Sequence, residues 1–185
     1  MTALRILLLT AVLSVVLGYM IVDRTSILNS RDVVTLKVKP VDPQDMFRGD
    51  YVILNYDISR LETAALAGDD NFSEGGLVYV TVTNQGGVWT PVAVNRAMPN
   101  HDQGAVVLRG TVKSASGASA TAPPELTVVY GIESFFVPQG QGKKIEDARQ
   151  KGDLDADIAV DAQGRGAVKA LRRDGGETLY VEGLF

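Results

Sequence analysis

The apolar residues of the chain follow two patterns that meet near Asp23. From Ile6 to Val22, 17 uncharged residues run together, and a helix apolar on every side has no face to offer water. The run stands at the short end for a membrane span, and Ala3 and Leu4 extend it when the Arg5 side chain reaches back to the interface. Residues 1–22 therefore read as one transmembrane helix. A signal sequence is the alternative, with Val16 and Gly18 at the small-residue positions of a cleavage site, but that pattern is weaker than Ala-x-Ala and retention is expected. Residues 23–32, with Thr25, Ser26, Asn29, Ser30 and charges of both signs, read as a polar stalk.

Beyond the stalk the period drops to two. Val34, Leu36 and Val38 alternate with Thr35, Lys37 and Lys39, which predicts a half-buried strand over 33–39. In 51–58, Val52, Leu54, Tyr56 and Ile58 share the core face, while Tyr51, Ile53, Asn55 and Asp57 share the other. Strands are predicted over 77–83 and 88–94, joined by a hairpin turn at Asn84-Gln85-Gly86-Gly87, with Trp89 packing beside it. Further strands fall at 105–112 and at 126–137, where Gly131 marks a bulge or a close backbone approach. The tail reads as a meander of 157–160, 167–171 and 178–185, with turns at Gln163-Gly164 and Asp174-Gly175-Gly176. Helical patterns are confined to 59–67 and to a segment opened by Gly140-Gln141-Gly142-Lys143-Lys144 and running to about Lys151, plus one turn over 42–49 capped by Asp42 and Pro43. Residues 33–185 thus form one mainly β domain, an antiparallel barrel or sandwich of about eight or nine strands with two short helices.

Gly49 is suited to the left-handed conformation just past a helix end, so Arg48-Gly49-Asp50 makes a sharp corner feeding the strand from Tyr51. Gly49-Asp50-Tyr51, Leu54 and Tyr56 match every fixed position of the motif that names the GDYXXLXY family, which this chain resembles. A second block, Tyr130 to Gly140, resembles another stretch of that family, with Gln139 where an acidic residue is more usual. The resemblance implies a bacterial, membrane-anchored protein and supplies no activity. The expected location is the bacterial inner membrane, with one span and most of the chain extracytoplasmic, because only a short head carrying Arg5 precedes the span.

Charge narrows the functional classes. With 18 basic and 22 acidic residues and no basic cluster, a nucleic-acid partner is not expected. The absence of cysteine removes thiolate chemistry and disulfides, and a single histidine, His101, does not make a transition-metal site. His101 beside Asp102 lacks a neighbouring nucleophile. The acidic loop 68–76 and the alternating Asp153, Asp155 and Asp157 lack calcium-loop spacing and read as solvated faces. Gly140-Gln141-Gly142-Lys143-Lys144 departs from phosphate-loop spacing and reads as a strand-to-helix connection. No metal or cofactor is expected.

The reading that follows is a membrane-tethered, non-catalytic domain that binds an envelope protein, with a polytopic membrane protein as the expected partner. The candidate contact residues are Arg48, Asp50 and Tyr51 at the corner, then Tyr56, Tyr130 and Glu133; Gly49, Leu54 and Gly131 are structural. A competing use of the same residues is architectural, with the tyrosines in the core and the charges paired locally. Glu133, a carboxylate in an apolar stretch, requires a partner. Two other functions stand beside this one: a degenerate relative of signal peptidases, whose serine nucleophile has no counterpart between Ser30 and Ser59, and an envelope glycan or ligand module using the aromatic residues.

Overall fold

The computed structural model describes residues 2–40, 51–100, 103–117, 123–136, 142–173 and 176–182. The predicted turn over 42–49, with the corner Arg48-Gly49-Asp50, lies outside them. So do His101, the loop residues 137–141 and the turn residues Asp174-Gly175. The protein is mainly β, with two α-helices among the described residues, and the first helix is the long apolar one.

In chain order the elements are α1 (Thr2–Leu28), β1 (Asp32–Lys39), β2 (Tyr51–Ile53), β3 (Asn55–Tyr56), β4 (Arg60–Glu62) and β5 (Ala67–Gly68). There follow β6 (Leu77–Gln85), β7 (Val88–Asn95), β8 (Ala105–Ser116), β9 (Glu125–Val129), β10 (Ser134–Phe136), α2 (Gly142–Gln150), β11 (Leu154–Val160), β12 (Gly166–Arg173) and β13 (Thr178–Val181). One sheet has the order β13-β12-β11-β1-β3, a second β4-β9-β8-β6-β7-β5, and β10 pairs with β2. Among the described residues, pairing is antiparallel except between β5 and β7. The strand number exceeds the expected eight or nine because short strands divide longer predicted ones and replace a predicted helix.

One such replacement occurs where a helix was expected over 59–67. Two single 3-10 turns, at Asp57–Ser59 and Thr63–Ala65, flank β4 instead. The physical reason is local period: Leu61 is buried between exposed Arg60 and Glu62, which suits a strand pairing with β9 in the register Leu61↔Leu126. The predicted strand over 51–58 is likewise divided. β2 pairs with β10 while β3 pairs with β1, and Leu54 between them gives its N–H to the Glu133 carbonyl at 2.7 Å. Its face assignment holds, since Leu54, Tyr56 and Ile58 are all buried.

The two sheets enclose one core. Val34, Leu36 and Val38 of β1 and Leu154, Ala156 and Ile158 of β11 pack with Val78, Val80 and Val82 of β6 and Leu108 of β8. Gly166 opens β12 at a close approach: a Cβ there would stand 3.1 Å from Ile158 and 3.3 Å from Ile132. The hairpin at Asn84 is as predicted, with the Gly87 N–H donating to the Asn84 side-chain oxygen at 2.8 Å. Trp89 packs against the core.

β11 is buried on both faces, so the solvated face expected for Asp153, Asp155 and Asp157 fails at Asp157. That carboxylate is 5% exposed. It accepts the Thr35 hydroxyl at 2.8 Å and pairs with Arg172 at 2.7 Å, as a buried charge requires.

The outer side of β11 and β12 is covered by α1. Residues 23–28, read as stalk from sequence, continue the helix to Leu28. Ile27 and Leu28 pack on Ala167, whose cross-strand partner is Ala159. Both alanines are fully buried, and their small side chains let the helix approach the sheet.

Candidate functional site

Two segments that are distant in sequence meet through a pair of tyrosines. The Tyr56 hydroxyl donates to the Ile132 carbonyl at 2.8 Å, and the Tyr130 hydroxyl donates to the Ile58 carbonyl at 2.8 Å. Each phenol thus reaches the carbonyl two residues past the other tyrosine. Both rings are buried. Burial first, and the nearby Glu133 charge second, push both phenol pKa values well above the ordinary tyrosine range. At neutral pH these groups are fixed hydrogen-bond donors.

Glu133 finds the partner that its sequence setting demanded within its own turn. Its carboxylate accepts the Tyr130 N–H at 2.6 Å and the Gly131 N–H at 2.8 Å. Gly131 sits at φ +81°, a conformation that glycine adopts without a Cβ penalty. The turn aims the Tyr130 ring inward and leaves the Glu133 carbonyl for Leu54. The motif residues Leu54 and Tyr56 and the second family block are therefore two halves of one buried lock.

Three of the six candidate contact residues belong to that lock. Tyr56 and Tyr130 lie in the core, with their hydroxyls engaged, and do not form a contact surface. Glu133 is half-buried, and its carboxylate is occupied. This is the architectural use, and the physical reason is that a phenol ring and its hydroxyl are both satisfied inside when a carbonyl stands in reach. Arg48 and Asp50 lie outside the described residues. The Tyr51 backbone belongs to β2, opposite Phe136.

Sequence reasoning missed Arg149, which α2 carries into the interior. Its Nη1 donates to the Ile53 carbonyl at 2.9 Å, at the end of β2. Its neighbours Ile145 and Ala148 are fully buried, so the i, i+3 and i+4 face of α2 was the available signal.

A second joint fastens α1 to the domain. Arg165 Nη1 donates to both Asp23 carboxylate oxygens at 2.9 Å, and its Nε donates to Asp161 Oδ2 at 2.7 Å. The other Asp161 oxygen accepts the Gln163 and Arg165 N–H groups at 2.9 and 2.8 Å. The Gly164 carbonyl in the same turn accepts the Arg109 N–H of β8 at 2.7 Å. Hydrogen bonds to Asp161, then to Asp23, raise the Arg165 pKa further above its usual value. Arg24 stands 4.0 Å from Glu182. The Asp161-to-Arg165 turn was legible as a turn, but its partner 142 positions away was not.

A mainly β domain led by a helix long and apolar enough to cross a membrane is the class of protein these features define. The GDYXXLXY protein family model matches residues 13–171, and the chain belongs to that family. The matched span takes in the foot of α1, both halves of the tyrosine lock and the turn at Arg165. No curated protein and no solved structure matches the chain.

Proposed function

We propose that the protein is a membrane-tethered, non-catalytic extracytoplasmic domain that binds an envelope protein, with a polytopic membrane protein as its partner. The observation that carries this reading is the joint at Asp23, Arg165 and Asp161. A helix that enters the domain unbroken and is clamped there holds one face of the domain towards the bilayer. Such a tether raises the effective concentration of the domain near a membrane partner and limits the orientations it must search. The shifted phenols support the non-catalytic part, since both hydroxyls are already committed to carbonyls.

The contact surface proposed is the corner Arg48, Asp50 and Tyr51, at the start of β2. β2 is held from two sides, by β10 and by Arg149, which gives a recognition corner a rigid base. The test is affinity capture of the full chain from membranes, with Arg48→Glu and Asp50→Lys introduced together. Capture of the membrane partner is expected to be lost, because like charges brought together at an interface cost several kcal/mol. Melting should remain within about 1 kcal/mol of the parent if the two charges serve recognition and not the fold. Undiminished capture removes the corner from the interface, and a collapse in melting makes it architectural. Recovery of a soluble chain beginning at Tyr19 overturns the tether.

A further inference from the structure

We propose that the cleft between the foot of α1 and the outer face of β6, β8 and β9 binds the phosphate of an anionic phospholipid headgroup, with Arg109 as its principal ligand. This rests on the tether reading above, because it places the cleft at the membrane surface. The cavity has a volume of about 490 Å³, and its walls include Asp23, Arg24, Ile27, Leu77, Arg109 and Val129.

The register of the second sheet explains why these groups share one wall. Leu77 pairs with Thr111, and Thr111 pairs with Val129, so three side chains stand in a row on one face. Arg109, two residues before Thr111, lies on that same face. The opposite face is the core, as Val78 and Leu108 show by their full burial. The outer face therefore presents a guanidinium beside two apolar side chains, Leu77 at 54% and Val129 at 39% exposure.

Charge singles out Arg109 among the cations of the cleft. Arg165 is held by Asp23 and Asp161, and Arg24 faces Glu182. The Arg109 guanidinium has no hydrogen bond or ion pair among the described residues. An arginine that faces a cavity and has no carboxylate partner among the described residues suits a phosphate, which it can meet with two parallel N–H donors.

Depth selects a lipid as the source of that phosphate. Asp23 and Arg24 are the first charges after the apolar run, and the wall continues to Ile27. At about 1.5 Å per residue, these positions occupy roughly the first 6 Å beyond the hydrocarbon, which is headgroup territory. Leu77 and Val129 then meet the glycerol and upper acyl carbons, which a soluble anion does not carry.

The test uses the full chain in a non-ionic detergent, with bound lipid counted by native mass spectrometry and melting followed in parallel. Phosphatidylglycerol is added in one arm, phosphatidylcholine in a second, and inorganic phosphate in a third. Retention of phosphatidylglycerol above phosphatidylcholine is expected, with little stabilisation by inorganic phosphate. Arg109→Ala should lower phosphatidylglycerol retention about tenfold, and Arg109→Lys should recover part of it. Equal retention by the parent and Arg109→Ala overturns the proposal, as does equal retention of the two lipids by the parent, a comparison that needs no variant to fold. Stabilisation by inorganic phosphate matching that by phosphatidylglycerol overturns the lipid source. Carbonate extraction of the source membranes separates the two readings: a chain that stays in the membrane while its lipid retention is independent of Arg109 defeats the cleft alone, whereas a soluble chain beginning at Tyr19 defeats the tether.

Discussion

The tyrosine lock and the helix foot both tie distant parts of the chain together, by opposite physics. In the lock, neutral hydroxyls donate to carbonyls in the core, across 76 and 72 positions. At the foot, full charges meet across 142 positions, and the Arg165 and Asp23 side chains are each 32% exposed. A buried carbonyl that loses its donor keeps its desolvation cost and gains nothing from water. Exposed ions that part are hydrated again, which is why such pairs contribute about 1 kcal/mol or less. The lock therefore maintains the fold, while the foot sets how the folded domain stands relative to its helix.

The largest effects belong to the lock. Tyr56→Ala is expected to destabilise the domain by about 3 to 5 kcal/mol, the usual cost of emptying a large buried aromatic site. Tyr56→Phe and Tyr130→Phe keep the ring and orphan one carbonyl each, at about 1 to 3 kcal/mol. Denaturant melts of the full chain in detergent measure all three. Phenylalanine variants as stable as the parent would reduce the lock to packing and remove half of the comparison.

Alkali sharpens the same point without a truncation. Both phenols have pKa values raised by burial and by the Glu133 charge, so the folded state keeps protons that the unfolded chain releases near the usual value of about 10. Their contribution is complete below about pH 10 and is lost as pH rises towards the folded values. Stability should fall above about pH 10, and the fall should be shallower when Tyr56→Phe and Tyr130→Phe are combined. Parallel curves for the parent and the double variant would show that other groups govern the alkaline limb.

The lock was nearly readable from the sequence, and the foot was not. Period two placed Leu54, Tyr56 and Ile58 on one face, Gly131 marked a bulge or close backbone approach, and the Glu133 carboxylate required a partner. What periodicity lacks is the distance across the fold, so the pairing of Tyr56 with Tyr130 stayed hidden and both remained candidates for a surface. The predicted helix over 59–67 failed because pairing with β9, in the register Leu61↔Leu126, overrode the local propensity. At the foot, Asp23 and Arg165 are ordinary residues in a polar segment and a turn. Only the packing of Ile27 and Leu28 on Ala167 brings them together, and no local pattern encodes that contact.

The smallest expected effect is also the one that separates the two regions most sharply. Asp23→Ala removes the carboxylate that Arg165 holds across the foot, yet melting of the domain should change by about 1 kcal/mol or less, because both side chains of that pair are partly exposed. The change should appear instead in the last turn of α1, where the Asn29 N–H is bonded to the Thr25 carbonyl at 3.0 Å and the Ser30 N–H to the Ile27 carbonyl at 3.0 Å. Amide exchange at Asn29 and Ser30 should quicken in the variant, while exchange at Leu54 and Val80 stays as in the parent. High salt should reproduce part of this in the unaltered protein, since the screening length shrinks to about 3 Å at 1 M. If exchange at Asn29 and Ser30 does not respond, the apolar contact with Ala167 holds the joint alone. If melting falls as far as in the Tyr56 variants, the foot belongs to the fold, and the division between what holds the domain together and what orients it disappears.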